Sequence, residues 1–177
     1  MRKVPRVPLK VSFDANILIW AFRTTHYKFR GQEPTDEQKE LQKKCGYLFS
    51  DLQRQGAKVV LSSIVVSEYL AGIDPANHGN VLTEITSRFD VYSFDVRAAA
   101  LAATLWNSRP KPTDIVPGRR VAMKADTMIV ATLKLRGVSA FYSYDENCQK
   151  TAKLAGLIPK GLPTHDEYLF PDDPATT

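Results

Sequence analysis

The sequence is poor in cysteine and histidine and has no long apolar run. Two cysteines, Cys45 and Cys148, among 177 residues are too few for a disulfide framework, so an apolar core has to hold the fold. Three histidines beside those cysteines show no zinc-ligand spacing, which sets aside zinc fingers and ribbons. No apolar stretch approaches the roughly 20 residues needed to cross a bilayer, so no membrane partner is expected. The first residues, Met1-Arg2-Lys3-Val4-Pro5-Arg6-Val7-Pro8, are basic but have no apolar segment behind them, which argues against a secretory signal. A reduced, cytoplasmic setting is the expectation. No Gly-rich loop ends in Gly-Lys-Ser/Thr, so P-loop chemistry is excluded.

What is present suits one globular domain with a full core: 177 residues, 44% hydrophobic and 24% charged. The formal net charge is +5, and Asp166, Glu167, Asp172 and Asp173 gather at the end, leaving the body more basic than the whole. A basic body favours a polyanionic partner. Residues 9–162 are expected to form the domain, with 1–8 and 163–177 as peripheral tails.

The chain is organised around Val11-Ser12-Phe13-Asp14-Ala15-Asn16-Ile17-Leu18-Ile19-Trp20. Val11 to Phe13 reads as a buried strand, Asp14 as the acid at its end, and Asn16 to Phe22 as a helix with Ile17, Trp20 and Ala21 facing inward. Asp14 alone has the chemistry of a helix cap. Thr35 or Asp36 opens a helix to about Gln55, which Gly56 stops. Lys58 to Leu61 is a second strand, and Ser62 or Ser63 caps a helix that carries Glu68 beside its apolar stripe. A short helix spans Val81 to Ser87, and Phe89 to Phe94 is a third strand. Asp95 caps a helix over Val96 to Trp106, and a loop follows from Ser108 to Arg120. The strongest helical pattern starts at Lys124, which puts Asp126 in a first turn, on the buried-facing edge. Ser139 to Ser143 is a fourth strand with Asp145 just past its end, Asn147 to Leu154 a helix, and Leu157 to Leu162 a last short strand.

This alternation predicts a three-layer α/β/α sandwich with a mostly parallel central sheet of four to five strands. In such a fold Asp14 and Asp145 follow strands and Glu68 and Asp126 lie near helix starts, so all four reach the crevice at one sheet edge. Four carboxylates held close repel one another unless a cation offsets them. All-oxygen ligands favour Mg²⁺ or Mn²⁺ over zinc, and an acidic cluster with metal suits phosphodiester hydrolysis. The basic residues suit a nucleic acid. Arg23, Lys28 and Arg30 interleave with Tyr27 and Phe29, a pattern fit for phosphate contact and base stacking, though equally that of a solvated loop. Arg109, Lys111, Arg119 and Arg120, with Lys124, lead into the Asp126 helix and make a second candidate wall of a nucleic-acid groove.

Four segments carry a family resemblance. Phe13-Asp14-Ala15-Asn16, Ser67-Glu68-Tyr69-Leu70-Ala71-Gly72, Ala125-Asp126-Thr127-Met128-Ile129-Val130-Ala131-Thr132 and Ser143-Tyr144-Asp145 resemble, in order and spacing, the acidic motifs of PIN-domain nucleases. The resemblance implies a metal-dependent ribonuclease, most often at this size the toxin of a bacterial toxin–antitoxin pair. It implies Asp14, Asp126 and Asp145 as metal ligands, Glu68 as a further ligand or the residue that positions water, and Asn16 and Ser143 as polar supports. Expected partners are RNA, an antitoxin protein and a second copy of the chain. Ala15 stands where Thr or Ser is usual, and Asn147-Cys148 where many members have Asp-Phe. The competing function is a non-catalytic RNA-binding or scaffold module of the same fold; metal binding separates the two. A phosphatase with Asp14 as nucleophile needs a second acid two residues on, where Asn16 stands.

Overall fold

Val11, Ser12 and Phe13 are all buried, as a central parallel strand covered on both faces requires. They belong to β1 (Lys10–Phe13), which pairs in parallel with β2 (Lys58–Ser62) on one side and β4 (Ala140–Tyr142) on the other. Outside these lie β3 (Asp90–Tyr92) and β5 (Ile158–Lys160), giving a five-stranded, all-parallel sheet in the order β3-β2-β1-β4-β5. The computed structural model describes residues 9–26, 34–109 and 117–163.

Parallel neighbours need helical crossovers. Helices α1 (Ala15–His26), α2 (Asp36–Arg54), α3 (Ser63–Leu70) and α4 (His78–Arg88) connect β1 to β2 to β3. Helices α5 (Val96–Ser108), α6 (Pro117–Leu135) and α7 (Glu146–Leu154) serve the return to β4 and β5. Right-handed crossovers running in opposite directions put these two sets on opposite faces. Accordingly α1 packs on α2 and α3, and α6 on α5 and α7. The expected three-layer sandwich is what forms.

Local chemistry accounts for the helix ends. Thr35 makes a capping box: its hydroxyl accepts from Gln38 N (3.3 Å), and Gln38 Oε1 accepts from Thr35 N (3.2 Å). Beyond α2, Gly56 adopts φ 63°, a left-handed conformation that suits glycine. Against β1, Phe13 meets Phe49 of α2 edge-on at 4.9 Å between ring centres, and Phe89 at 6.0 Å.

One boundary differs in a way that bears on function. Helix α6 begins at Pro117, seven residues before the start expected at Lys124, so Asp126 lies mid-helix rather than in a first turn. Proline at a first helical position is favourable because its missing N–H has no intrahelical partner there. Pro-Gly-Arg-Arg reads as loop, yet it opens the helix. Glu68 lies in the second turn of α3, one turn past the strand end, as expected of a helix capped at Ser62. Among the described residues no helix is long and apolar enough to cross a membrane.

Candidate active site

Between β1 and β4 the sheet reverses its winding: the chain leaves β1 toward β2 and leaves β4 toward β5. Helices departing to opposite faces leave a crevice beyond the carboxyl ends of these two strands. Asp14 follows β1 there, and Ser143 and Asp145 follow β4.

Asp14 is buried, with 6% of its surface exposed. One carboxylate oxygen accepts from Ile17 N at 3.0 Å, closing the first turn of α1. The other accepts from the Ser143 hydroxyl. The same Ser143 oxygen accepts from Asp145 N at 3.0 Å, and the Ser143 carbonyl accepts from Gln149 Nε2 at 2.5 Å. One serine therefore ties the acid after β1 to the acid after β4. Asp145 caps α7, with Oδ1 accepting from Asn147 N (2.7 Å) and Cys148 N (3.3 Å), which leaves its second oxygen available.

Asp14, Asn16, Glu68, Asp126, Asp145 and Cys148 line a single cleft of about 260 Å³. Burial raises the pKa of Asp14; the Ser143 and Ile17 bonds oppose it in part, and Asp145 adds to it. Burial also pushes Asp126 up to about 6, with Asp145 and Asp14 contributing repulsion, while a Cys148 hydrogen bond and the Arg109 charge act the other way. Glu68 is exposed as a residue, yet loss of hydration at its carboxylate, then Asp126 and Asp14, raise its pKa. The acids thus act on one another across the cleft, although α3, α6 and the two strand ends supply them from distant parts of the chain.

The expected RNA contacts fall differently. Lys124 is exposed on α6 and stacks over the Trp106 ring at 5.6 Å. Arg109 turns its guanidinium inward, Nη1 donating to Met123 O at 3.0 Å. Arg23 lies in the last turn of α1 and Arg119 and Arg120 in the first turn of α6, but their side chains lie outside the described residues. Lys28, Arg30 and Lys111 lie outside them altogether. Sequence reasoning overlooks Cys148 and Gln149 as site residues. Cys148 falls three residues after Asp145 on the inward face of α7 and lines the cleft beside Asp126, and burial pushes its thiol pKa up.

Among the described residues no three His, Cys, Asp or Glu side chains converge tightly enough to hold an ion as they stand. The donor chemistry nevertheless fits a hard divalent cation. The acids in the cleft are oxygen ligands, and Asp14, Glu68 and Asp126 have pKa values raised by burial and by one another.

A PIN domain family model matches residues 11–154. No curated protein matches the chain. Among solved structures, VapBC2 from Rickettsia felis, bound to a DNA fragment from their promoter, is 14% identical with a TM-score of 0.57; the match covers 88% of this chain and 100% of that one. FitAB bound to an IR36 DNA fragment is 16% identical with a TM-score of 0.53, covering 88% and 99%. DNA-bound VapBC from Salmonella typhimurium is 18% identical with a TM-score of 0.53, covering 86% and 98%. At these identities the likeness shows a shared fold.

Proposed function

The chain belongs to the PIN domain family, whose members are generally nucleases, and from that premise we propose that it is a metal-dependent endoribonuclease, the toxin of a toxin–antitoxin pair. The observation that carries this reading is the lining of one cleft, at the switch point of the sheet, by Asp14, Glu68, Asp126 and Asp145. Residues 9–162 form the catalytic unit in this reading. An antitoxin partner is inferred from the solved neighbours, whose names are those of VapBC and FitAB complexes.

Asp14, Asp126 and Asp145 are the residues that would hold Mg²⁺ or Mn²⁺. A bound cation supplies Lewis-acid stabilisation of the phosphodiester oxygens and makes water a better nucleophile near neutral pH. The chain's own residues supply the rest. Asp14, held through both oxygens, is a fixed point of the site. Asp145 spends one oxygen on the α7 cap and offers the other to the cleft. Glu68 lies across from Asp126 on a separate helix, and its raised pKa suits it to take a proton from the attacking water. Asn16, at the cleft wall, and exposed Lys124, on the helix that carries Asp126, are suited to contact the RNA.

The test is cleavage of a single-stranded RNA by the parental protein, Asp14→Asn and Glu68→Gln in Mg²⁺, Mn²⁺ or EDTA. Cleavage should require metal and fall by about a hundredfold or more in each variant, with the fold retained. RNA left intact by the parental protein in both metals would reject the reading.

A further inference from the structure

Arg109 stands immediately after α5 and reaches both of the later helices that bear acids of the cleft. Nη1 donates to Met123 O at 3.0 Å, on α6, one turn before Asp126. Nη2 donates to Asn147 O at 3.3 Å and to the Thr151 hydroxyl, both on α7, whose N-cap is Asp145. The Thr151 hydroxyl in turn donates to Asn147 O at 2.8 Å, so the α7 side of the clamp is itself cross-braced.

We propose that Arg109 is a positioning residue, a two-helix clamp that fixes the separation of Asp126 and Asp145 and so sets the metal affinity of the cleft. The role rests on the nuclease reading above.

The geometry asks for arginine. A guanidinium is planar and rigid and presents its donors as a fork, so one group bonds acceptors on two helices at a set spacing. A lysine ammonium is a point donor on a flexible stem and does not fix that distance. Two of the three acceptors, Met123 O and Asn147 O, are main-chain carbonyls inside helices, and the third, the Thr151 hydroxyl, is itself bonded to Asn147 O. The two carbonyls belong to the helix frames, so the clamp acts on the frames that carry the two acids. The charge matters too. Of the charges acting on Asp126, those of Asp145 and Asp14 are repulsive and that of Arg109 is attractive. Arg109 is half-buried, and its bonds are directed to protein acceptors rather than outward to a phosphate.

Arg109→Lys keeps the charge and loses the fork. Mn²⁺ binding to the metal-free protein by calorimetry, RNA cleavage, and binding of a non-cleavable RNA at several salt concentrations are read on the parent and this variant. The clamp predicts that Mn²⁺ affinity falls roughly tenfold or more, as for other residues that orient metal ligands. It also predicts that kcat falls more than KM and that the salt slope of RNA binding is unchanged. Arg109→Lys with parental Mn²⁺ affinity overturns the clamp. If the RNA salt slope of Arg109→Ala drops by about 0.7 while Mn²⁺ affinity holds, Arg109 is a phosphate contact and the clamp is overturned. If Arg109→Ala fails to fold, Arg109→Lys decides alone. A parental protein that neither binds Mn²⁺ nor cuts RNA overturns the nuclease reading and the clamp with it, whereas a competent parent matched by Arg109→Lys overturns only the clamp.

Discussion

At the scale of single residues, the cleft gathers acids that repel one another and is kept in order by hydrogen bonds. Ser143 serves two acids through one oxygen, and the Asp145 and Asp14 carboxylates cap the helices that follow them. Using each acid as a helix cap leaves it little rotational freedom, which favours a defined site over a diffuse acidic patch. Asp126 is the exception, because it lies mid-helix with no backbone N–H to accept, and burial raises its pKa from 3.8 to about 6. A carboxyl whose pKa rises on folding binds its proton more tightly in the native state. It therefore favours the fold at low pH, and this contribution is lost as pH climbs from about 4 through about 6. Asp126→Asn should therefore stabilise the metal-free protein at pH 8 by roughly 1–3 kcal/mol, with the gain shrinking as pH falls through 6 toward 4. Chemical denaturation in EDTA across that range checks it; a gain that is flat or grows toward acid pH contradicts the burial of Asp126.

At the scale of elements, helix ends do much of the placing. Thr35 and Gln38 satisfy each other's main chain in a capping box, with Asp36 and Glu37 adding favourable charge in the first turn of α2. Thr35→Ala should lower stability by about 1 kcal/mol, read from the denaturation midpoint with the slope unchanged. These features are legible in the sequence because a cap is decided within four residues. The start of α6 is not. Pro117-Gly118 carries turn residues by composition, and only the folded chain shows that helical geometry begins there. Placing Asp126 in a first turn misplaces the helix start, although its position on the inward stripe, four residues before Val130, is correct because that depends on periodicity alone.

At the scale of the whole molecule, the doubly wound order β3-β2-β1-β4-β5 brings residues 14, 68, 126 and 145 to one edge, and no local rule does this. A ligand that binds only the assembled edge must stabilise the fold as a whole. Mn²⁺ at about a hundred times its dissociation constant should raise stability by about 2.7 kcal/mol, seen as a higher Tm that EDTA reverses and that Asp14→Asn abolishes. An equal Tm rise in Asp14→Asn would place the metal elsewhere. The sequence by itself determined the strands, the helices, the four acids and the family to which their spacing belongs. Each of these depends on patterns of two, three or four residues, or on motifs short enough to read in place. Only the tertiary structure decided that Ser143 joins Asp14 to Asp145, that Cys148 lines the cleft beside Asp126, and that Arg109 bonds Met123, Asn147 and Thr151 instead of pointing outward. Those partners lie 14 to 129 residues apart in most of these contacts, and a long side chain takes whichever acceptors the folded chain brings within its reach.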